Sequence, residues 1–185
     1  ELEGFSTGMT GFLGTAYFLG FLAGCVLGPG LIKAVGHIRA FAGVVALLAA
    51  LILILPVWVH PWAWAGLRAL TGICLAITFL VIESWLNDQA TNDNRGRLIS
   101  LYIIVTNAGW IAGQLAVNLS DLLGMTLFIL VTIAICVAVA PVALTPTREP
   151  TPVPDARLDL RGLFGLSMVG TIGCFLVGTA EGAFW

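Results

Sequence analysis

The chain has 185 residues, 59% of them hydrophobic and only 10% charged, with a formal net charge of −2. Soluble domains carry roughly 25% charged residues, so this composition cannot build a water-facing shell, and its hydrophobicity is the opposite of a disordered chain. The slightly negative balance excludes a nucleic-acid partner, which needs clustered Lys and Arg against phosphates. An all-α integral membrane protein remains, with the lipid bilayer as its main partner, because lipid tolerates no open strand edges.

Six apolar segments approach the roughly 20 residues needed to cross a bilayer. They run over about 9–28, 40–59, 62–86, 97–118, 121–143 and 162–185. Pro29-Gly30 is expected to end the first, with Lys33 to Arg39 as a short basic loop. Pro56 and Pro61 bracket a tight turn, Asn87 to Arg97 is polar, and Asn118 to Asp121 is a very short connection. Between Thr145 and Arg161 lie Pro146, Pro150, Pro152 and Pro154, a density that favours extended chain over helix. The chain opens at Glu1 without a leader-like pattern and stops at Trp185 directly after an apolar run, so it is read as part of a longer protein.

The basic residues supply an orientation. Lys33, Arg39, Arg95, Arg97, Arg148, Arg157 and Arg161 occupy alternate connections, leaving only Arg68 of the eight inside a span. The positive-inside bias makes that side cytoplasmic. Trp58, Trp62, Trp64 and Trp185 then fall at the outer boundary and Trp85 at the inner one.

The spans differ in polarity. Ala40 to Val59 and Leu122 to Ala143 are nearly free of polar side chains and can face lipid all round. The other four carry polar groups that need partners or water, so they are expected to line a protein interior or an aqueous path. Back-bonding to their own helices accounts for the hydroxyls, but not for Arg68, Asn107, Gln114 and Glu181. Small residues at Gly20, Gly24 and Gly28, and again at Gly109 and Gly113, allow helix backbones to approach closely.

Candidate functional residues follow from depth. Arg68, in Arg68-Ala-Leu-Thr71-Gly72, either snorkels to the outer surface or faces a cavity and bonds an anionic or polar partner. Asn107, Trp110 and Gln114 share a helix face. That set suits either a polar organic ligand or interhelical hydrogen bonding. At the inner edge, Glu83 and Arg95 or Arg97 form either a latch or a solvated charged strip, and Asn92 or Asn94 is a candidate cap. His37 and His60 fall in loops on opposite sides, so no shared metal is expected. No HExxH, Walker or GxSxG motif is present, so no enzyme is expected. Cys25, Cys74, Cys136 and Cys174 sit singly in apolar runs, as free thiols do.

These features together resemble the major facilitator superfamily over nearly the whole chain. The segment from Gly28 to Arg39 is similar to the family's signature loop between helices 2 and 3, Arg68 to Gly72 to its helix-4 motif, and Arg95 to Tyr102 to the start of helix 5. Val35 to Arg39 and Glu83 to Asn87 look most like a branch of bacterial permeases. The resemblance implies a partial major-facilitator-type bundle of six transmembrane helices, equivalent to helices 2 to 7, whose further partners are the missing helices of the full-length chain. Residues 1–143 would be most of the N-terminal half, 144–161 the cytoplasmic linker, and 162–185 the first helix of the C-terminal half.

Aligning Gly36 with the signature loop's central glycine puts Lys33 where the family usually has Asp, leaving Glu83 or Asp88 as substitutes. The implied activity is secondary transport of a small polar or amphipathic solute by alternating access in the bacterial inner membrane. No cofactor is implied beyond a proton gradient, with Glu181 and Glu83 as the titratable candidates on this chain. Arg68, Thr71, Asn107, Trp110, Gln114 and Glu181 are the expected substrate-path residues, and Lys33, Gly36, Arg39, Glu83, Arg95 and Arg97 the expected gating-loop residues. The rival reading is a membrane receptor or scaffold that keeps the transporter fold without moving solute.

Overall fold

The structure, a computed structural model, describes residues 6–119, 125–144, 162 and 165–184. Among them six helices follow one another: α1 Thr7–Val35, α2 His37–Ile54, α3 Pro61–Gln89, α4 Arg95–Leu119, α5 Thr126–Leu144 and α6 Met168–Phe184. The first five are long and apolar enough to cross a bilayer; the apolar part of α6 is shorter. The chain divides into two compact units, Glu1–Pro154 and Asp155–Trp185. The proline-rich segment 145–161 lies outside the described residues.

Local chemistry explains the helix ends, and it moves the first boundary. The Ser6 hydroxyl caps α1 by accepting from the Met9 N–H at 3.3 Å. The helix does not stop at Pro29-Gly30 but continues to Val35, so Lys33 is helical and not part of a loop. Proline removes one backbone hydrogen bond, a loss that membrane helices tolerate where neighbours re-satisfy the freed groups. The actual break is Gly36, the only described residue with positive φ, at φ 86° and ψ 161°. Its N–H donates to Ile32 O at 2.8 Å and its carbonyl accepts from Ala40 N at 3.0 Å. One residue therefore closes α1 and opens α2.

The next turn is held by an indole. Trp64 Nε1 donates to Leu55 O at 2.9 Å, capping the end of α2 from α3. Pro61 occupies the start of α3, where its missing N–H costs nothing. Trp64→Phe keeps the ring and removes the donor. It should lower stability by about 1 kcal/mol, read as a shifted melting curve of the full-length protein. Between α3 and α4, Asn94 Oδ1 accepts from Thr91 N at 2.7 Å, while the Asn94 carbonyl takes the first α4 bond from Leu98 N at 3.0 Å. Asn118 lies inside α4 and not in a connection.

Glycine sets the tightest packing. A Cβ added to Gly20 would overlap the Ala69 backbone, and one on Gly72 would strike the Tyr17 carbonyl. A Cβ on Gly24 would lie 2.7 Å from Ile73 O, and one on Gly28 2.8 Å from Leu80 Cδ2. The contacts advance together along both sequences, so α1 and α3 run parallel with their backbones in van der Waals contact. Gly109 and Gly113 meet nothing within 4 Å among the described residues.

The expectation that the second span faces lipid all round is corrected. α2 buries His37, Ala40, Phe41, Val44, Val45, Leu48, Ala49 and Leu51, and packs on α3, α5 and part of α1. Val44, Leu48 and Leu51 join Ile32, Cys74, Ile77 and Val81 in one core, with Ile135, Val139 and Val142 of α5 against it. A stretch without polar groups, as α2 is from Ala40 on, serves equally well between other helices as against lipid, so composition alone could not distinguish the two. By contrast α5 has no buried residue. α4, expected inside, packs only lightly against α3 and buries none of its apolar window among the described residues.

Candidate functional site

The hydroxyls carry little functional information. Thr71, Thr78 and Thr132 each donate at 2.8 Å to the carbonyl one turn earlier in their own helix, and Thr10 and Thr15 do the same at 3.3 and 3.0 Å. Thr71 is moreover buried, 8% exposed, whereas Arg68, one turn earlier on α3, is exposed. Chemistry must come from groups that their own helix cannot satisfy.

Those groups collect on one flank of α3. Cys74, Ile77, Val81 and Ser84 turn toward α2. Arg68, Phe79 and Glu83, at i, i+11 and i+15, fall on the opposite flank by helical periodicity. α1 contributes Tyr17, Phe21 and Cys25, each one turn after the last. Arg68 lies within Coulombic reach of the Tyr17 hydroxyl, and Glu83 within reach of Cys25. The ring centroids of Tyr17 and Phe21 are 6.3 Å apart, and those of Phe21 and Phe79 again 6.3 Å. The result is a lane along the parallel α1–α3 pair, cationic near one end, aromatic in the middle and anionic near the other. Tyr102 of α4 turns its hydroxyl toward Glu83, which brings the start of α4 to the lane's anionic end.

The remaining expected residues are placed as follows. Asn107, Trp110 and Gln114 are exposed on α4, and Asn107 Nδ2 donates back to Ile103 O at 2.8 Å. The structure does not bring them against Arg68. Lys33 and Arg39 are exposed on either side of the Gly36 break. Arg95 Nη2 donates to Asn87 Oδ1 at 3.4 Å, and Asn87 Nδ2 to Glu83 O at 3.0 Å, so an amide stands between Arg95 and the Glu83 backbone. Arg97 is exposed in the first turn of α4. Glu181 belongs to α6 in the second unit, and its side chain lies outside the described residues.

Two features escape a reading of sequence alone. The aromatic stretch of the lane was legible only as spacing across two helices, and nothing in the chain states that α1 and α3 are neighbours. His37, expected in a loop, is instead the first residue of α2, 2% exposed, with Nε2 3.0 Å from Ser84 Oγ. This side-chain bond ties the Gly36 junction to α3. A double-mutant cycle with His37→Ala and Ser84→Ala should give a coupling of about 1 kcal/mol, within the range of membrane side-chain hydrogen bonds. Additive single-mutant losses would show that the pair is incidental.

Comparison with known proteins agrees with this architecture. A family model described as Major Facilitator Superfamily matches residues 3–185. The uncharacterized MFS-type transporter YcaD of Salmonella heidelberg (strain SL476) is 32% identical over 188 residues, covering 97% of this chain and 47% of that protein. YcaD of Escherichia fergusonii is 29% identical over 190 residues, covering 99% of this chain and 48% of that protein. The chain thus spans about half the length of the curated relatives it matches. These relatives are named as transporters and not as enzymes. No solved structure matches significantly. With its all-helical spans and a family match over almost its whole length, this multi-pass membrane chain belongs to the major facilitator superfamily.

Proposed function

We propose that the full-length protein is a secondary transporter that carries a small polar or amphipathic solute across the bacterial inner membrane by alternating access, coupled to the proton gradient. In this reading residues 1–143 form most of the N-terminal half, 144–161 a cytoplasmic linker, and 162–185 the first helix of the C-terminal half. The observation that carries it is the lane on α1 and α3. Charged side chains inside a membrane are costly and mark solute or ion paths, and here Arg68 and Glu83 share the flank of α3 opposite the apolar α2 side. Asn107, Trp110 and Gln114 complete the path from α4, while Lys33, Gly36, Arg39, Arg95 and Arg97 act at the cytoplasmic gate. Glu83 and Glu181 are the carboxylates available on this chain to carry a proton.

The test uses the complete protein in proteoliposomes loaded with a pH-sensitive dye and challenged with sugars, amino acids and organic anions. Solute-dependent proton movement and counterflow are expected, and Arg68→Ala or Asn107→Ala should reduce flux at least tenfold. Glu83→Gln and Glu181→Gln identify the coupling group: the one that matters should retain counterflow and lose proton movement. Ligand binding without any exchange would mean a receptor that has kept the fold. Unchanged flux and affinity in both Arg68→Ala and Asn107→Ala would remove those residues from the path.

A further inference from the structure

Resting on the reading of the lane as a solute path, we infer that its solute is an organic anion with an aromatic or apolar body, bound with its charged group at Arg68 and Tyr17. Three observations lead there. First, Arg68 has no carboxylate near it among the described residues. Glu83, Asp88 and Asp93 are the acidic residues whose side chains are described, and all lie toward the far end of α3 or in the turn after it. Fifteen residues separate Arg68 from Glu83, about 22 Å at the helical rise. An incoming anion brings the counter-charge that this part of the fold does not supply.

Second, Tyr17 faces this part of α3 across the helix contact: its carbonyl meets Gly72, one turn along from Arg68, and its hydroxyl, a neutral donor, is within Coulombic reach of the guanidinium. That pair accepts a carboxylate or phosphonate through charge-assisted hydrogen bonds. It rejects an ammonium group, which would face Arg68 without compensation. Third, the groups next along the lane are rings. Phe21 follows Tyr17 by one turn, and Phe79 stands against Phe21 from α3 at 6.3 Å between centroids. Aromatic walls beside an anion clamp fit a molecule whose charge sits at one end of a flat or apolar body. Gly20 and Gly72 bring the α1 and α3 backbones into contact, which holds these side chains on neighbouring helices.

The test measures binding to the full-length protein in lipid nanodiscs by thermal shift at neutral pH. The probes are 3-phenylpropionate, its neutral amide, 3-phenylpropylamine and acetate. The carboxylate with the ring is expected to raise the melting temperature in a saturable way, with acetate, amide and amine each at least tenfold weaker. Arg68→Gln should weaken 3-phenylpropionate at least tenfold. Arg68→Lys should retain part of the affinity, and Tyr17→Phe and Phe79→Ala should each weaken it several-fold. Gly43→Ala, on α2 and away from the lane, should leave it in place.

The inference is overturned if amide or amine binds as well as the carboxylate, if no probe binds, or if Arg68→Gln leaves the affinity unchanged. Amide or amine binding that falls with Asn107→Ala but ignores Arg68→Gln would keep the transport reading and remove only the anion. Binding indifferent to both Arg68→Gln and Asn107→Ala would remove the assigned path as well.

Discussion

Gly20→Ala and Gly72→Ala should each lower the melting temperature of the full-length protein by about 2–5 °C. Each new methyl would enter backbone: the Cβ at position 20 meets the Ala69 carbonyl, and that at position 72 meets the Tyr17 carbonyl. A flexible side chain can swing aside, but two helix backbones in contact must separate along their length. Overpacking of this kind costs roughly 1–3 kcal/mol, and each kcal/mol shifts a protein of twice this chain's length by about 1–2 °C. Separation would also part Tyr17 from Arg68, so binding at the lane should weaken along with stability. The controls are Gly43→Ala and Gly66→Ala, where an added Cβ meets nothing within 4 Å. There the better helix propensity of alanine should leave stability unchanged or raise it by up to about 1 kcal/mol. Equal losses at all four positions would mean that close helix approach is not what Gly20 and Gly72 provide.

The contrast between these glycines shows what sequence could carry. The repeat Gly20, Gly24, Gly28 and the pair Gly109, Gly113 read alike as small-residue faces, yet only the first meets a described partner. A motif states that a close approach is permitted, not where the partner is. The same limit governs polarity. The lack of polar groups in α2 from Ala40 on is legible, but it holds equally for a lipid-facing helix and for one packed between α3 and α5. Membrane class, helix number and most boundaries followed from apolar length and prolines, because the bilayer imposes them directly. The Pro29 boundary failed because a membrane helix can carry a proline, whereas no side chain can follow the backbone through Gly36. At the site, Arg68 and Glu83 stood out as charges in apolar surroundings. Tyr17, Phe21 and Phe79 did not, since rings are ordinary in membrane helices until the pairing of α1 with α3 lines them up.

Gly36→Ala should destabilise the protein by about 1–3 kcal/mol, a cost typical of an L-residue forced into a sparsely populated backbone region. Both backbone groups of Gly36 are engaged, its N–H with Ile32 O and its carbonyl with Ala40 N, so the junction cannot relax without giving up the end of α1 or the start of α2. His37, the next residue, is buried and bonded to Ser84, which fixes the junction against α3 as well. The dihedral pair of 86° and 161° separates two explanations. Asparagine tolerates the compact left-handed region but not this extended positive-φ region, which is essentially glycine's alone. Gly36→Asn should therefore be as damaging as Gly36→Ala, both measured as loss of melting temperature. Rescue by asparagine would mean that the junction is an ordinary left-handed cap. If both variants keep wild-type stability, the break between α1 and α2 is soft, and Lys33 and Arg39 on either side of it are not held in register by the backbone. If both are destabilised together, the short basic junction is a rigid corner, and any movement of α1 must carry α2 and the His37–Ser84 contact with it.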